Sequence, residues 1–442
     1  MSAYSSIVPD AGKTAPSGVA IYGFSNANGV STETGVPATA PVSAGRIYAE
    51  IAPPLNTGIA ITNPNSTPAT ITFSFTSATG ASAGSGTKTL AAHESIAQFL
   101  DQAPFKVYPG STFQGTLSFT STLPVGVMAL RGFNNERGDF LMSTLPFVDT
   151  TAMPKSGTVV VPHFADGGGS ITQIFLVNPT DNALSGSVQF RGEDGTIGGQ
   201  TNSSFPYSIP GRSAQKLATA GTGTNTAQGS VAVVPAAGGI VPTALVLFSY
   251  KPTGVIVAEA GVPLTSGTAF RLYVESAGTP FQPGSIQSGI AVANTSPSSV
   301  PVTFDITDLN GSPVAGISPH SETLLPSGHI GKFLGQFFPS LPNSFKGVLR
   351  VTSDPNGPPI SVTGLRTRYN QRQPVPDFLY TTTPVSIEGD APATGQLLLP
   401  TFVNGGGYTT QFILFSGSQG QSSTGNLRFY DLNGSALNVN LN

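Results

Sequence analysis

Short runs in which Val, Ile, Thr, Phe and Tyr alternate with small polar residues recur along the whole chain, as at 70–75 and 302–306. Alternation with a period of two is the pattern of a strand that buries one face. Asx-Gly and Asn-Pro turn signals separate the runs, for example at 308–311 and 178–179. The pattern therefore predicts an all-β protein. A short helical turn is expected only at 94–100 and at the related stretch 328–334.

Internal repetition divides the chain into two alternating kinds of unit, which we name A and B. The first A unit covers residues 43–150, the intact B unit 155–265 and the second A unit 268–386. Residues 1–42 match the second half of a B unit and residues 393–442 match its first half. Together these two ends make one B unit that lacks the counterpart of about 205–226.

Units of this length, each with several short strands, suit an immunoglobulin-like β-sandwich. We expect tandem sandwiches in an extended array, with a split partial unit at each end. An incomplete sandwich exposes an apolar face and unpaired strand edges. The split unit is therefore the main indication of function in this sequence.

Composition narrows the classes of function. Only 9% of the 442 residues are charged, against about 25% in an average soluble domain, and the net charge is −3. Nucleic-acid binding lacks the basic patch that it requires. No apolar run approaches the length of a membrane-spanning helix, so no membrane insertion is expected. The chain has no Cys, which excludes disulfides and thiolate metal sites.

The sequence gives only weak indications of a catalytic or metal-binding site. His93, His163, His320 and His329 stand at no metal-ligand spacing, and we interpret them as ordinary loop or surface residues. The glycine-rich segments 166–169 and 404–407 precede strand patterns, which favours tight turns over phosphate loops. A Ser-His-Asp set is not excluded by spacing, but no nucleophile elbow occurs before a helix. We expect no enzymatic activity, no cofactor and no metal.

Charged and amide residues recur at matching positions of the repeats. We interpret them as ion pairs that fix the angle between units, since arginine adds direction to such bonds. Pairing inside one sandwich is the favoured alternative to this hypothesis, and ligand binding is a further one. The set comprises Glu33, Arg46, Glu50, Arg131, Asn135, Arg137, Glu259, Arg271, Glu275, Arg366, Asn370 and Arg372.

Three segments carry a broad resemblance to known proteins: the Pro-His-Phe-Ala-Asp-Gly-Gly-Gly opening at Pro162, the strand end at 176–179, and the Leu-Arg…Asp-Phe-Leu segments. With these, the units resemble the immunoglobulin-like repeats of large secreted or surface-exposed bacterial proteins. The resemblance implies an extracellular or cell-surface setting and no enzymatic site.

The split unit leads to a structural hypothesis. The chain would be a subunit of an extracellular filament or surface assembly, in which the C-terminal half-unit completes the N-terminal half-unit of the next chain. Its partner would be itself, with other surface or matrix components as further candidates. The alternative is a fragment of a long rod-like adhesin or spacer. The residues expected at the join are Val19, Ile21, Tyr22, Phe24, Phe412, Leu414, Leu427 and Phe429.

Overall fold

The computed structural model describes residues 2–26, 31–196 and 204–441. These residues form antiparallel strands gathered into several sheets, and the described part of the chain contains a single short helix. The prediction of an all-β protein is confirmed. The alternation seen in the sequence becomes alternation in burial, as in the strand Ala69–Ser77, where Ile71, Phe73 and Phe75 point into the core.

The first A unit has eight strands, and its longest strand, β9, takes part in two separate sets of pairings. The first half of β9 pairs with β4 and β6, and its second half pairs with β5 and β10. The chain starts with three strands that belong to the terminal unit described below. The strands of this part are β1 (Ser2–Pro9), β2 (Ser17–Ser25), β3 (Ser31–Pro37), β4 (Val42–Ala52), β5 (Leu55–Thr62), β6 (Ala69–Ser77), β7 (Ser82–Leu90), β8 (Ser95–Phe99), β9 (Phe113–Asn134), β10 (Phe140–Thr144) and β11 (Phe147–Asp149).

The intact B unit is a sandwich of two four-stranded sheets, with strand orders β12-β17-β14-β15 and β16-β13-β18-β19. Its core lies between them and includes Phe164, Leu176, Phe190 and Val246. Its strands are β12 (Val159–Asp166), β13 (Ser170–Val177), β14 (Leu184–Arg191), β15 (Ser204–Ile209), β16 (Ala214–Ala218), β17 (Ala227–Pro235), β18 (Thr243–Tyr250) and β19 (Ala258–Pro263).

The second A unit repeats this strand order, as β20-β25-β22-β23 and β24-β21-β26-β27, and adds β28 beside β20. Its helix α1 (Leu334–Phe337) follows β24 and buries Leu334 and Phe337 in the core. Its strands are β20 (Ala269–Ala277), β21 (Ile286–Asn294), β22 (Val300–Asp308), β23 (His320–Leu324), β24 (His329–Phe333), β25 (Phe345–Thr352), β26 (Ile360–Tyr369), β27 (Phe378–Thr383) and β28 (Val385–Ile387).

The two ends of the chain build a fourth sandwich, which we call the terminal unit. It adds β29 (Leu397–Val403), β30 (Tyr408–Phe415), β31 (Gly425–Asp431) and β32 (Ala436–Leu437) to β1, β2 and β3. One sheet has the order β29-β1-β31-β32 and the other β3-β2-β30. N-terminal strands thus lie directly between or beside C-terminal strands of the same chain. The completion that the sequence suggested between neighbouring chains is formed within one chain.

Two expectations from the sequence are wrong. Residues 94–100 and 328–334 do not form helical turns, because both stretches pair as edge strands β8 and β24, with α1 only after the second. The units are also not an extended array, because the ends pair with each other and Arg137 of the first A unit reaches Asp377 of the second. The expected glycine turns are confirmed, with φ of +79°, +58° and +90° at Gly167, Gly168 and Gly169.

Closure within one chain predicts the outcome of a crosslinking experiment. Val8 and Asn426 lie directly opposite each other in the β1–β31 pair, and facing residues of antiparallel strands are close enough for a disulfide. The double variant Val8→Cys/Asn426→Cys, in a chain with no other Cys, should oxidise to a disulfide within one chain. Non-reducing electrophoresis should show a monomer. A ladder of linked chains, absent for Val8→Cys alone, would contradict closure within the chain.

Candidate functional site: the interfaces between the units

Four strands, one from each unit, lie at the centre of the molecule. β3 contacts β10 and β27, and β19 contacts the same two strands, so the four strands close a circuit around one axis. Side-chain hydroxyls join neighbouring units here: Thr381 Oγ1 accepts from the Gly35 amide at 3.0 Å, and Thr382 Oγ1 donates to the Gly261 carbonyl at 2.6 Å. The four units therefore meet at a common centre.

The repeated Gly-Val-Pro motif has a packing role at this centre. A Cβ atom on Gly35 would lie 2.1 Å from the Thr382 carbonyl oxygen, and one on Gly261 would lie 2.6 Å from the Thr144 carbonyl oxygen. Neither backbone oxygen can move away easily, so only glycine permits the close approach of neighbouring strands.

A buried ion pair joins the first A unit to the intact B unit. Arg131 Nε lies 3.0 Å from Glu259 Oε2, and the side chains are 6% and 0% exposed. The second carboxylate oxygen, Glu259 Oε1, accepts from Arg131 Nη2 at 3.4 Å and from Ser249 Oγ at 2.9 Å. Charge-assisted bonds of this kind are strong and directional when both oxygens are satisfied.

The equivalent contact joins the second A unit to the terminal unit. Glu33 accepts from Arg366 and, at 2.7 Å, from Arg368 Nη1. Arg366 also lies 3.4 Å from Glu275 of its own unit. Burial lowers the pKa of Arg366 to about 10, with a further contribution from the nearby charge of Arg368, so the guanidinium remains charged at neutral pH.

The two A units, which are not adjacent in sequence, are joined by a network of four charged side chains. Arg137 Nη2 lies 2.9 Å from Asp377 Oδ2, and Arg372 Nη2 lies 2.6 Å from Asp139 Oδ2. Within each A unit, Arg137 also pairs with Asp139 and Arg372 with Asp377. Both arginines and both aspartates hold matching positions in the repeats, so the network has approximate twofold symmetry.

Asp139 and Asp377 were not among the recurring residues expected to form ion pairs, although both belong to the Asp-Phe-Leu segments of the repeats. Asn135 and Asn370 set the shape of the turns that carry these groups: each side-chain oxygen accepts two backbone amides, including those of Asp139 and Asp377 respectively. The recurring motif therefore encodes one turn that presents an Arg and an Asp to the opposite A unit.

Arg46 and Glu50 of the first A unit also contact residues of the intact B unit. Arg46 donates to the Asn178 carbonyl, and Glu50 pairs with Lys216. Burial lowers the pKa of Arg46 to about 10, although nearby Asp181 opposes the shift.

Arg271 does not cross a junction in this way. It pairs with Glu388, in the segment that leaves the second A unit, at 2.5 Å. Glu33 and Arg46 do not pair with each other, and neither do Glu259 and Arg271, because each finds a partner on another strand.

Seven of the eight residues expected at a join between chains pack within the chain. Val19 and Ile21 form a cluster with Tyr273 and Val348 of the second A unit. Phe24 contacts Tyr408 with ring centroids 4.6 Å apart. The other packed residues lie in or against the core of the terminal unit, and they are Tyr22, Phe412, Leu427 and Phe429. Leu414 differs, because 42% of its surface is exposed.

Two histidines form a buried pair where the intact B unit meets the second A unit, so the interpretation of these two as loop or surface residues is wrong. His163 Nδ1 lies 3.1 Å from His329 Nε2. Burial lowers the pKa of His163 to about 4. Burial, and then the proximity of His163, also lowers the pKa of His329 well below its ordinary value.

Two related clefts lie between neighbouring units, one near Tyr22 and Met128 and the other near Phe248 and Tyr380. Their walls are mainly apolar and aromatic. Within residues 2–26, 31–196 and 204–441, no three His, Asp or Glu side chains come together as a metal-binding group. Among the same residues, no helix is long and apolar enough to cross a membrane.

No family model and no curated protein matches the sequence. Three solved structures show distant likeness. The crystal structure of Thermotoga maritima 1070 is 12% identical over 27% of this chain and 93% of its own, with a TM-score of 0.20. A protein from the triple jelly roll and turret assembly of an archaeal virus is 14% identical over 79% and 88%, with a TM-score of 0.16. The infectious bursal disease virus Gx strain structure is 9% identical over 89% and 82%, with a TM-score of 0.12. At these TM-scores the likenesses carry no argument.

The buried Arg131–Glu259 pair predicts a large effect of removing one partner. Glu259→Gln leaves Arg131 buried without a counter-charge, which should lower the free energy of unfolding by about 3–5 kcal/mol. The matched control is Glu136→Gln, because its pair with Lys251 is well exposed and should contribute about 1 kcal/mol or less. Urea denaturation measures both. Equal effects would show that the buried pair is not a structural anchor.

The histidine pair predicts a loss of stability in weak acid. Unfolded histidines take up protons near pH 6.5, whereas His163 in the folded protein does so only near pH 4. Stability should therefore be complete above about pH 6.5 and should fall between pH 6.5 and 4, by roughly 1 kcal/mol per pH unit for each histidine.

The matched control for this acid sensitivity is His163→Thr/His329→Ser, which copies Thr401 and Ser95 at the matching positions of the related interface. Thermal unfolding of both proteins across this pH range measures the difference. An unchanged pH profile in the variant would assign the acid sensitivity to other groups.

Proposed function

We propose that this protein is a structural, non-enzymatic subunit of an extracellular or cell-surface assembly, and that its four units are immunoglobulin-like β-sandwiches. The observation that carries the proposal is the closed arrangement of four related sandwiches around a common centre. The buried polar groups at that centre, Arg131, Glu259, Glu33 and Arg366, are occupied by contacts between units. They act as structural anchors between the units.

The surface chemistry supports the same function. With 9% charged residues, most polar surface consists of Ser, Thr, Asn and Gln. A net charge of −3 gives little electrostatic repulsion between copies, which permits self-association. A rigid body with such a surface suits a building block that contacts further copies of itself.

The closed chain is the proposed building block, and exchange of terminal halves between chains is not the proposed route of assembly. Such an exchange would withdraw β1 from between β29 and β31 and would break the contacts of Glu33 with Arg366 and Arg368. Domain swapping restores those contacts in the neighbour, but only after the closed chain has opened.

A rod-like adhesin or spacer is less well supported than an assembling subunit. A spacer gains length by keeping its units in line, whereas here the first and last parts of the chain share one sandwich. No contact in the described structure favours a particular receptor.

The proposal predicts compact particles that associate. Negative-stain electron microscopy and sedimentation velocity of the purified chain should show four-lobed bodies whose average mass rises with protein concentration. Protease treatment of intact cells should degrade the protein, because an extracellular subunit is accessible. A monodisperse monomer at all concentrations would contradict the proposed assembly. Full protection from the protease in intact cells would contradict the proposed extracellular location.

A further inference from the structure

A continuous row of aromatic rings leads from the surface into the cleft between the intact B unit and the second A unit. Phe281, Tyr369, Phe378 and Tyr250 follow one another with ring centroids 5.6, 5.1 and 6.2 Å apart. Tyr380 continues the row, 6.0 Å from Phe378 and 6.3 Å from Tyr250. We call these five side chains the aromatic row, and it follows a path several rings long.

The outer end of the row is held in an unfavourable backbone conformation. The Phe281 side chain is 70% exposed, and its φ of +68° lies in the left-handed region. Phe281 is the third residue of a turn in which the Gln282 amide donates to the Thr279 carbonyl at 3.1 Å, a position that favours glycine when φ is positive. Burial does not explain a phenylalanine at this position. An exposed ring that is kept despite backbone strain points to a binding role.

The inner part of the row lines a cleft of about 450 Å³. This volume lies within the range of about 300–1,000 Å³ that is typical of small-ligand sites. Tyr250, Phe378 and Tyr380 form its wall together with Phe248 and Phe333. Tyr380 is 8% exposed, and its hydroxyl has no hydrogen-bond partner among residues 2–26, 31–196 and 204–441. Because a buried hydroxyl without a partner is unfavourable, a ligand with polar groups suits this wall better than a purely apolar one.

Two amide side chains line the cleft beside these rings. Gln336 uses its side-chain oxygen to accept the Phe333 amide at 2.7 Å, and Gln228 uses its side-chain nitrogen to donate to Glu193 at 2.5 Å. Within the described part of the chain, this leaves the amide nitrogen of Gln336 and the amide oxygen of Gln228 for a ligand. The cleft thus combines aromatic surface with one donor group and one acceptor group.

The charges of the cleft favour a neutral ligand. Lys332 lies on the wall, and its Nζ is 2.6 Å from Glu322, which balances its charge. His163 also lies on the wall and is neutral at physiological pH, because burial lowers its pKa to about 4. The molecule that fits has flat apolar faces, polar groups along its edges and no charge. A sugar has this combination, whereas an ion or a hydrocarbon does not.

The related cleft between the first A unit and the terminal unit provides an internal comparison. Asn134 holds the position there that Tyr369 holds in the second A unit, and Met142 holds the position of Tyr380. The aromatic row is therefore not a general consequence of packing two units together. It belongs to one of the two clefts.

We propose that the aromatic row and the adjoining cleft bind a neutral oligosaccharide whose sugars are joined by β-linkages. In an extended β-linked glucan the hydroxyls are equatorial, so each sugar presents flat C–H faces to aromatic rings and its hydroxyls to polar groups at the side. Such a chain matches a row several rings long. The inference goes beyond the proposed function, because binding requires only one copy of the protein.

Calorimetric titration of the intact chain with cellohexaose tests the site. The natural sequence should bind cellohexaose and should bind maltohexaose, its α-linked counterpart, more weakly. Phe281→Gly should weaken the binding of cellohexaose about fivefold or more, because one aromatic contact contributes roughly this factor. The same variant should keep its thermal stability, since glycine suits the left-handed backbone. A purely structural role of Phe281 would give the opposite result, with unchanged binding and a lower unfolding temperature.

A second variant tests the middle of the row. Tyr369→Asn copies the residue of the related cleft and should weaken binding to a similar degree. Met153→Ala is the control, because this side chain is 90% exposed and lies outside the cleft, and it should bind like the natural sequence.

Three results would overturn the inference. The first is a natural chain that does not bind cellohexaose, and the second is binding that is unchanged in both Phe281→Gly and Tyr369→Asn. The third is equal binding of maltohexaose, which would overturn the assignment to β-linked sugars. Sedimentation velocity measures self-association separately, so the proposed assembly and the sugar site can fail independently.

Discussion

The insertion of β1 between β29 and β31 is the constraint on which the rest of the structure depends. β1 is hydrogen-bonded along both edges, to strands from the opposite end of the chain. This pairing forces the first and last parts of the chain together, and the three intervening units must then close around a centre. An edge strand left open would expose backbone groups that need partners. Closure satisfies those groups without a second molecule.

Closure also explains where the few charges lie. In a chain this poor in charged residues, Arg131, Glu259, Arg366 and Glu33 occupy the contacts between units, where they are almost fully buried. A buried ion pair adds little net stability over well-packed apolar residues, because desolvation offsets the attraction. Its geometry is demanding, however, because charge-assisted hydrogen bonds are directional. We infer that these pairs select one arrangement of the units from the many that apolar contacts alone would allow.

Much of the secondary structure could be predicted from the sequence, because the alternation that marks a strand depends only on neighbouring residues. Alternating residues predicted the strands, and the repeats suggested a division into four units, including the one divided between the ends. The recurrence of Arg131 and Arg366 indicated contacts between units. The partners could not be predicted, because the proximity of Glu259 to Arg131 depends on how two sandwiches are placed. The segments 94–100 and 328–334 were misassigned because five-residue edge strands with mixed side chains have no clear period.

The decision between closure within a chain and completion between chains also lay beyond the sequence. Both arrangements use the same strand pairs, the same apolar faces and the same register. What differs is whether the remaining units turn through a full circuit, in which Arg137 and Arg372 of the two A units pair with Asp377 and Asp139.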